Sequence, residues 1–205
     1  MALATDWISL DEGKAAVNIT GGAFDSELAL YISAASQRLD QLAGAAVIRT
    51  ITGEIHNITR PGTTAVLLNY RPVVSASSVV VYNQTTAQTL ALETNSAKTA
   101  NDYLLDPAEG RLRRRSSGYD TAFPTGRGNV IVTYTAGRFA STAAVAERFK
   151  LAASIYLAHL WKREQGAGTV TFGGLEPDVN AIPTFGIPNV VRDLLLDEIS
   201  SVMVA

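Results

Sequence analysis

The feature that most constrains the fold is the block from Asn129 to Arg163, where a strand pattern runs directly into a long helix pattern. In the segment NVIVTYTAGR, successive side chains alternate between two faces, as in a β-strand with one face on a core. Gly137 ends this pattern, and Ser141 or Thr142 is placed to cap the helix that follows. The block therefore predicts a sheet strand joined by a short turn to a long helix.

The long helix carries two rows of apolar residues rather than one. The first row comprises Val145, Phe149, Ala152, Tyr156 and Leu160, and the second comprises Leu151, Ile155 and Ala158. One row packs on the helix's own domain, so a second row favours an additional contact with a neighbouring subunit. The aromatic side chains Tyr156 and Trp161 fit either core packing or an interface anchor. We take Leu151, Ile155 and Trp161 as candidate subunit-interface residues.

Two helices are predicted before the strands. Ser9 followed by Glu12 forms a capping-box pattern that opens the first helix. Asp25 is placed to cap the second, which runs to about Ala43 and presents a single apolar stripe. Gly44 supplies the left-handed residue that commonly follows a helix end. The pattern predicts a small helical core near the amino terminus.

From Val47 to Gly137 the apolar period changes from that of a helix to two. Strands are predicted at Val47–Ile58, Ala65–Tyr70, Ser77–Tyr82, Tyr103–Leu105 and Asn129–Thr135. Turn sequences rich in Gly and Pro separate them. The segment from Ser116 to Asn129 has little aliphatic content and is predicted to be an exposed loop. This region is therefore a β-rich insertion.

The carboxyl-terminal region combines an arm and a helix. The segment Gly166–Ile187 is rich in Gly and Pro, which favours an extended arm. Pro188 then suits the first turn of a last helix. The apolar face of that helix is formed by Val191, Leu194, Leu195, Ile199 and Val202. Such a face needs its own core, a neighbouring copy or another protein to cover it.

The composition excludes several classes of protein. The 205 residues contain no cysteine, which excludes disulfides and thiolate metal sites and fits a reducing cytoplasm. No apolar run approaches the roughly 20 residues that span a bilayer, so no membrane association is expected. The start MALATDWISL lacks a basic segment and a sustained apolar segment, so no secretory signal is expected.

Catalytic patterns are missing from the sequence. The two histidines, His56 and His159, form no metal-ligand motif. The sequence contains no nucleophile elbow, Walker loop or dinucleotide fingerprint. The run TGRG at 125–128 lacks the lysine and the following helix of a phosphate loop, so it reads as a loop tip. We therefore expect no enzyme activity and no cofactor.

Charge is nearly balanced, with 17 basic and 19 acidic residues and a net charge of −2. Specific DNA readers usually carry a clearly basic patch or domain, so sequence recognition is not expected. A nearly neutral protein surface is compatible with DNA that slides past it, because such a surface avoids strong phosphate contacts. The sharpest charge feature is RLRRR, with Arg111, Arg113, Arg114 and Arg115. It fits a solvated edge strand, a contact with a partner, or a contact with DNA in a channel.

The order of these blocks resembles the head–tail connector proteins of long-tailed phages, also called adaptor or head-completion proteins. The similarity lies in SLDEGKAAVNI followed by DSELALYISAASQRLDQLAG, in VTYTAG followed by AERFKLAASIYLAHLWKR, and in IPNVVRDLL. These blocks cover somewhat over a third of the chain. None of them is a catalytic signature, so the resemblance depends on their order.

The resemblance implies a homo-oligomeric ring, most often of twelve copies, in the virion at the head–tail interface, after assembly in the host cytoplasm. Its implied partners are the portal protein, the next head-completion or tail protein, and packaged DNA that passes without sequence recognition. In relatives the carboxyl-terminal segment commonly engages the portal. Carried to this chain, that makes Pro188 and the apolar face that follows it the candidate portal-binding residues. A ring uses two different faces of each subunit, which agrees with the doubly apolar long helix.

The sequence thus predicts an α+β protein with a structural function. Residues 1–45 hold the amino-terminal helices, 46–137 the β-rich insertion, 138–166 the long core helix and 167–205 the arm and last helix. A tail-terminator or tail-completion ring protein is an alternative, as is a small hydrolase or carbohydrate-binding domain. Binding to the portal rather than to the tail tube would distinguish the connector from a tail-terminator or tail-completion protein. Turnover or specific ligand binding by the monomer would favour the hydrolase or carbohydrate-binding domain.

Overall fold

The computed structural model of the chain describes residues 3–164 and 186–203. Helices and strands occur in similar amounts, so the predicted α+β class is confirmed. The chain forms two compact units. The helical unit comprises Met1–Val47 and Phe139–Met203, and the β unit comprises Ile48–Arg138. Each unit has its own hydrophobic core.

The described part of the helical unit contains five α-helices. They are α1 (Leu10–Val17), α2 (Asp25–Ala43), α3 (Glu147–Glu164), α4 (Asn189–Leu194) and α5 (Leu196–Met203). A short 3₁₀ turn at Thr142–Ala144 precedes α3. The predicted capping box is present at the start of α1, where Ser9 Oγ accepts from the Glu12 N–H at 3.2 Å and Glu12 accepts from the Ser9 N–H at 2.7 Å.

Three predicted helix ends are wrong. Asp25 does not cap α2 but lies in its first turn, and the capping position is Phe24, which makes no side-chain cap. Ser141 caps no free amide either, because the 3₁₀ turn intervenes and α3 begins only at Glu147. The last helix is divided at Leu195, whose backbone leaves the helical region.

The core of the helical unit forms where α2 and α3 meet the amino-terminal segment. Trp7 is fully buried, and its ring lies 5.3 Å from that of Phe149. The first apolar row predicted for the long helix packs on this core, although Val145 precedes α3 and Leu160 is only partly buried. Leu157 is also fully buried, although it belongs to neither predicted row. Burying such large side chains stabilises a unit by about 1.5–3 kcal/mol each.

The β unit is built from eight strands. They are β1 (Arg49–Ile58), β2 (Ala65–Leu67), β3 (Val73–Asn83), β4 (Thr86–Leu92), β5 (Asp102–Asp106), β6 (Arg111–Ser116), β7 (Tyr119–Asp120) and β8 (Gly126–Ala136). The sheet order is β1-β8-β3-β4-β5-β6-β2, with β7 beside β6. All pairs are antiparallel except β4 and β5, which run parallel.

The strands at both ends of the sheet order share one hydrophobic core. Buried residues on β1, β3 and β8 belong to the same cluster as Val66 on β2, Tyr103 on β5 and Leu112 on β6. The described part of the β unit contains no helix, so the sheet and its loops must enclose this core themselves.

The strand prediction was incomplete. It omitted β4 and β7. The arginine run, considered as a solvated edge strand, does form a strand, but β6 lies between β5 and β2 and is not an edge. The segment from Ser116 to Asn129 is not one exposed loop, since it contains β7, the start of β8 and Phe123, which is 2% exposed. Most of the predicted arm, Gly166–Ile187, lies outside the described residues.

Candidate functional site

The arginine run lies on β6, between β5 and β2. Leu112 points into the core, while Arg111 forms an ion pair of 3.1 Å with Glu109. Arg113, which lies beside Leu104 across the pair with β5, forms no ion pair within the described residues. Only part of the run is therefore available to an external partner.

Arg115 is occupied inside the β unit. Its Nε lies 3.0 Å from Glu93 and its Nη1 2.5 Å from Asp120, and Nη2 donates to the Gly118 carbonyl. The hydrogen bond to Glu93, followed by that to Asp120, raises the pKa of the Arg115 guanidinium. This side chain joins the end of β4 to the β6–β7 turn, so it holds strands together.

Arg114 is also engaged inside the unit. It donates to the Ala122 carbonyl at 2.6 Å and to Gln88 Oε1 at 3.0 Å. Burial lowers the pKa of this guanidinium, which is the direction expected for a cation removed from water. The contact of the arginine run with DNA or a partner remains a prediction, and Arg114 and Arg115 have an observed alternative role in packing.

The two carboxyl-terminal helices lie on the core of the helical unit. Val191 and Leu195 are fully buried, while Leu194 and Ile199 are partly buried against the same cluster. Pro188 precedes α4 and is half-buried. The side chain of Val202 lies outside the described residues. Of the three covering surfaces considered from sequence, the chain's own core is the one that these side chains contact.

Two apolar side chains of these helices are exposed, among the polar exposed residues Asn189, Arg192, Asp193 and Asp197. Val190 is 50% exposed and Leu196 is 61% exposed. Val190 directly precedes the buried Val191, and Leu196 directly follows the buried Leu195. A partner can reach these two side chains without moving α4 or α5.

Ion pairs hold α5 against α3. Arg148 Nη1 lies 3.5 Å from Asp197, and Arg148 Nη2 donates to Glu198. The same guanidinium lies 5.0 Å from the centre of the Phe149 ring. Surface ion pairs contribute about 0–1 kcal/mol each, so the buried apolar residues provide most of the attachment.

The three candidate interface residues of the long helix are in different environments. Trp161 is 7% exposed, with its ring edge-to-face against Phe24 at 6.1 Å and Tyr31 at 5.5 Å. Ile155 packs partly against the core, and Leu151 is 51% exposed. Of these three, Leu151 presents the largest free surface to a neighbour.

A buried polar network links β1 to β8 in the β unit. Tyr134 donates a 2.6 Å hydrogen bond to Glu54, which also accepts from the Asn69 N–H at 3.0 Å. His56 Nε2 lies 2.9 Å from Glu54, although its N–H is not aimed at the carboxylate. Burial opposes ionisation of Glu54, but the nearby His56 and the hydrogen bonds from Tyr134 and Asn69 outweigh it and lower the pKa of Glu54. Burial and the Glu54 contact raise the pKa of Tyr134.

The carboxylate of this network is satisfied by groups of its own unit, and its hydrogen bond with Tyr134 links β1 to β8. Residues 3–164 and 186–203 contain no group of three His, Cys, Asp or Glu side chains arranged to hold a metal ion. In the same part of the chain, no helix is long and apolar enough to cross a bilayer.

The chain matches the family model described as head completion protein over residues 6–197. No curated protein matches it. The fold is similar to a chain in the neck of an empty gene transfer agent particle with C6 symmetry, with a TM-score of 0.62, 18% identity, and coverage of 96% of this chain and 92% of that one.

Two further structures are similar. A chain of the virion of a native gene transfer agent particle has a TM-score of 0.60 and 20% identity, with coverage of 93% and 88%. A chain of the neck of the native particle with C12 symmetry has a TM-score of 0.53 and 18% identity, with coverage of 96% and 94%. At these identities the similarity concerns the fold, and it extends over both units.

Proposed function

The chain belongs to the head completion protein family, and we propose that it is a structural virion protein that joins a DNA-filled head to the tail as a ring under the portal. The single observation that carries the proposal is the family match, which spans residues 6–197 and therefore both units. The similar folds found in particle necks with C6 and C12 symmetry support a ring of six-fold or twelve-fold order.

In this ring, we propose that α4 and α5 form the portal-binding element. Support comes from their exposed apolar side chains, Val190 and Leu196, which a helix-binding groove would bury. Val191 and Leu195 then have a different task, which is to hold the element on its own subunit. The remaining candidates, Pro188, Leu194, Ile199 and Val202, stay part of this proposal.

The contact between neighbouring subunits is assigned to Leu151 and the partly buried Ile155 on α3. Leu151 is exposed on a helix whose other side is fixed in the core. A head-to-tail ring needs a second, different surface on each subunit to receive this one. A stable contact of this kind buries about 1,200–2,000 Å² in total, so these side chains form only part of it.

The test is electron microscopy of DNA-filled, tailless heads with and without the purified protein. A new ring of density below the portal vertex, with the DNA retained, is the expected result. Binding to the ends of tail tubes, with none to heads, would identify a tail-terminator or tail-completion protein. Absence of binding to both would contradict a virion role.

A further inference from the structure

Formal charge is divided unequally between the two units. The β unit carries ten Arg and Lys residues against six Asp and Glu, a formal charge of +4. The remainder of the sequence carries seven basic residues against thirteen acidic ones, a formal charge of −6. The total of −2 therefore describes neither part of the chain.

The carboxylates of the β unit are all occupied within it. Two bind Arg115 and one binds Arg111. The other three, which are Glu54, Asp102 and Asp106, accept hydrogen bonds from side chains or backbone N–H groups of the same unit. The surplus positive charge must therefore lie on cations that these carboxylates do not reach.

Three segments meet at one end of the sheet, each made of a connection and, in two of them, the strand residues next to it: residues 59–64, 83–86 and 121–128. We call them together the polar tip. The Phe123 N–H donates to the Thr63 carbonyl at 2.8 Å, which joins the first segment to the third. The segment 83–86 lies beside the other two, because β3 and β1 both pair with β8 near its start.

Arg60 and Arg127 both lie in the polar tip. Gly126, next to Arg127, pairs with Ile58, two residues before Arg60, so both arginines lie at the end of the sheet where β1 ends and β8 begins. Both side chains are exposed, and neither forms an ion pair within the described part of the chain. The polar tip contains no Asp or Glu at all.

The rest of the polar tip consists mainly of Thr, Asn, Gln, Gly and Pro. None of the large exposed hydrophobic side chains of the described residues lies in it, since Phe123 is buried. A protein-binding hot spot needs aromatic or aliphatic anchors, whereas phosphate contacts come from arginines, amides, hydroxyls and backbone N–H groups. This composition favours a polyanion over a protein partner.

A shallow depression of about 350 Å³ adjoins Arg127 in the polar tip. Tyr82 and Gln84 also line it, and they supply a phenol and an amide beside the guanidinium. It is open to solvent and has no carboxylate among its lining residues, so an approaching phosphate meets no like charge.

We propose that the polar tip contacts the phosphate backbone of duplex DNA in the channel through Arg60 and Arg127, without reading its sequence. This inference rests on the proposed function, because one copy offers only two exposed arginines. A ring repeats them in every subunit, and each neutralised phosphate adds to the affinity by releasing counterions. We place the contact on this tip rather than on the arginine run of β6, because Arg111, Arg114 and Arg115 are bound internally and leave Arg113 alone without an ion pair in that run among the described residues.

The chain's lack of cysteine provides a direct test. Single variants Arg60→Cys and Arg127→Cys are labelled with a photoreactive maleimide, used to complete DNA-filled heads, and irradiated. Covalent protein–DNA adducts are expected from both positions. Arg113→Cys is the matched control, since it removes the same charge from the same unit, and its adducts should stay at the level of the unirradiated sample.

Attachment of each labelled protein to heads is counted separately by electron microscopy. Normal attachment without adducts at 60 and 127, or adducts at 113 alone, overturns the assignment of the tip while leaving the proposed function intact. Loss of attachment by the Arg60→Cys and Arg127→Cys variants alone would identify the polar tip as a protein-binding surface. That result would also overturn the assignment of the tip to DNA. Failure of the unaltered protein to attach would overturn the proposed function itself.

Discussion

Trp7 Nε1 donates a 2.8 Å hydrogen bond to Oδ1 of Asp40, and the same oxygen accepts from the Ala46 N–H at 3.1 Å. Both side chains are buried, at 0% and 7% exposure. The Trp7 backbone N–H also donates to Ser36 Oγ at 3.0 Å. One carboxylate thus fastens the amino-terminal segment to α2 and fixes where the chain leaves that helix.

We predict that Asp40→Ala lowers the free energy of unfolding of the helical unit by about 3 kcal/mol, because it leaves two buried N–H donors without an acceptor. Urea unfolding followed by tryptophan fluorescence measures it, since both tryptophans lie in this unit. Asp40→Asn keeps one oxygen and should lose less. The exposed neighbour Gln37→Ala is the control, and an equal loss there would contradict the role of Asp40.

Gly13 is buried in α1 because α1 lies very close to α2 and α3. A Cβ added there would lie 2.5 Å from Ile32 Cδ1 and 3.3 Å from Leu157 Cδ2. We predict that Gly13→Val destabilises the helical unit by about 1–3 kcal/mol through overpacking. Ala15→Val, on the exposed side of the same helix, controls for the helix propensity of valine. A similar change in melting temperature for both variants would contradict the close approach.

Glu54 should make the stability of the β unit depend on pH. The pKa of Glu54 in the folded protein lies below the ordinary glutamate value of 4.5, so ionisation of this carboxyl favours the folded state. This contribution is complete above that value and is lost as the pH falls through the folded pKa. We predict that Glu54→Gln is less stable than the unaltered protein at about pH 6 and that the difference shrinks at about pH 3.5.

Hydrogen exchange of the β8 amides measures this difference, because Tyr134 on β8 donates to Glu54. Glu109→Gln removes a more exposed carboxylate of the same unit and should change the protection little at either pH. A constant difference between Glu54→Gln and the unaltered protein over the whole range would show that ionisation is not involved.

The two faces of the carboxyl-terminal helices should separate binding from folding. We predict that the double variant Val190→Asp with Leu196→Asp abolishes attachment to heads and leaves the melting temperature nearly unchanged, because both side chains are exposed. Leu195→Ala should instead lower stability by about 2–5 kcal/mol, since it leaves a cavity in the core. Sedimentation with tailless heads and thermal unfolding check both. Normal attachment of the double variant would contradict the portal-binding face.

The pattern of the sequence was sufficient for the strand–helix block and for α1. Residues that alternate every two positions on β8 and every three or four on α3 make one face apolar whatever they pack against. The same reasoning could not decide among the roles considered for the arginine run, because charge alone does not show whether a carboxylate such as Glu93 lies within reach. It also passed over Arg60 and Arg127, which are separated in sequence and reach the same end of the sheet only through the pairing of β1 with β8.

By itself, the sequence determined the α+β class, the capping box and the buried row of the long helix, since these follow from local periodicity and from hydrogen bonds between residues three apart. The tertiary structure decided which charges are free and which apolar faces are covered. Arg115 is bound in ion pairs, whereas Arg127, another arginine, is exposed. Val191 is buried, whereas Leu196, another aliphatic residue, is exposed. The reason is physical: burial and ion pairing depend on distances between residues remote in the chain, and only the folded chain sets those distances.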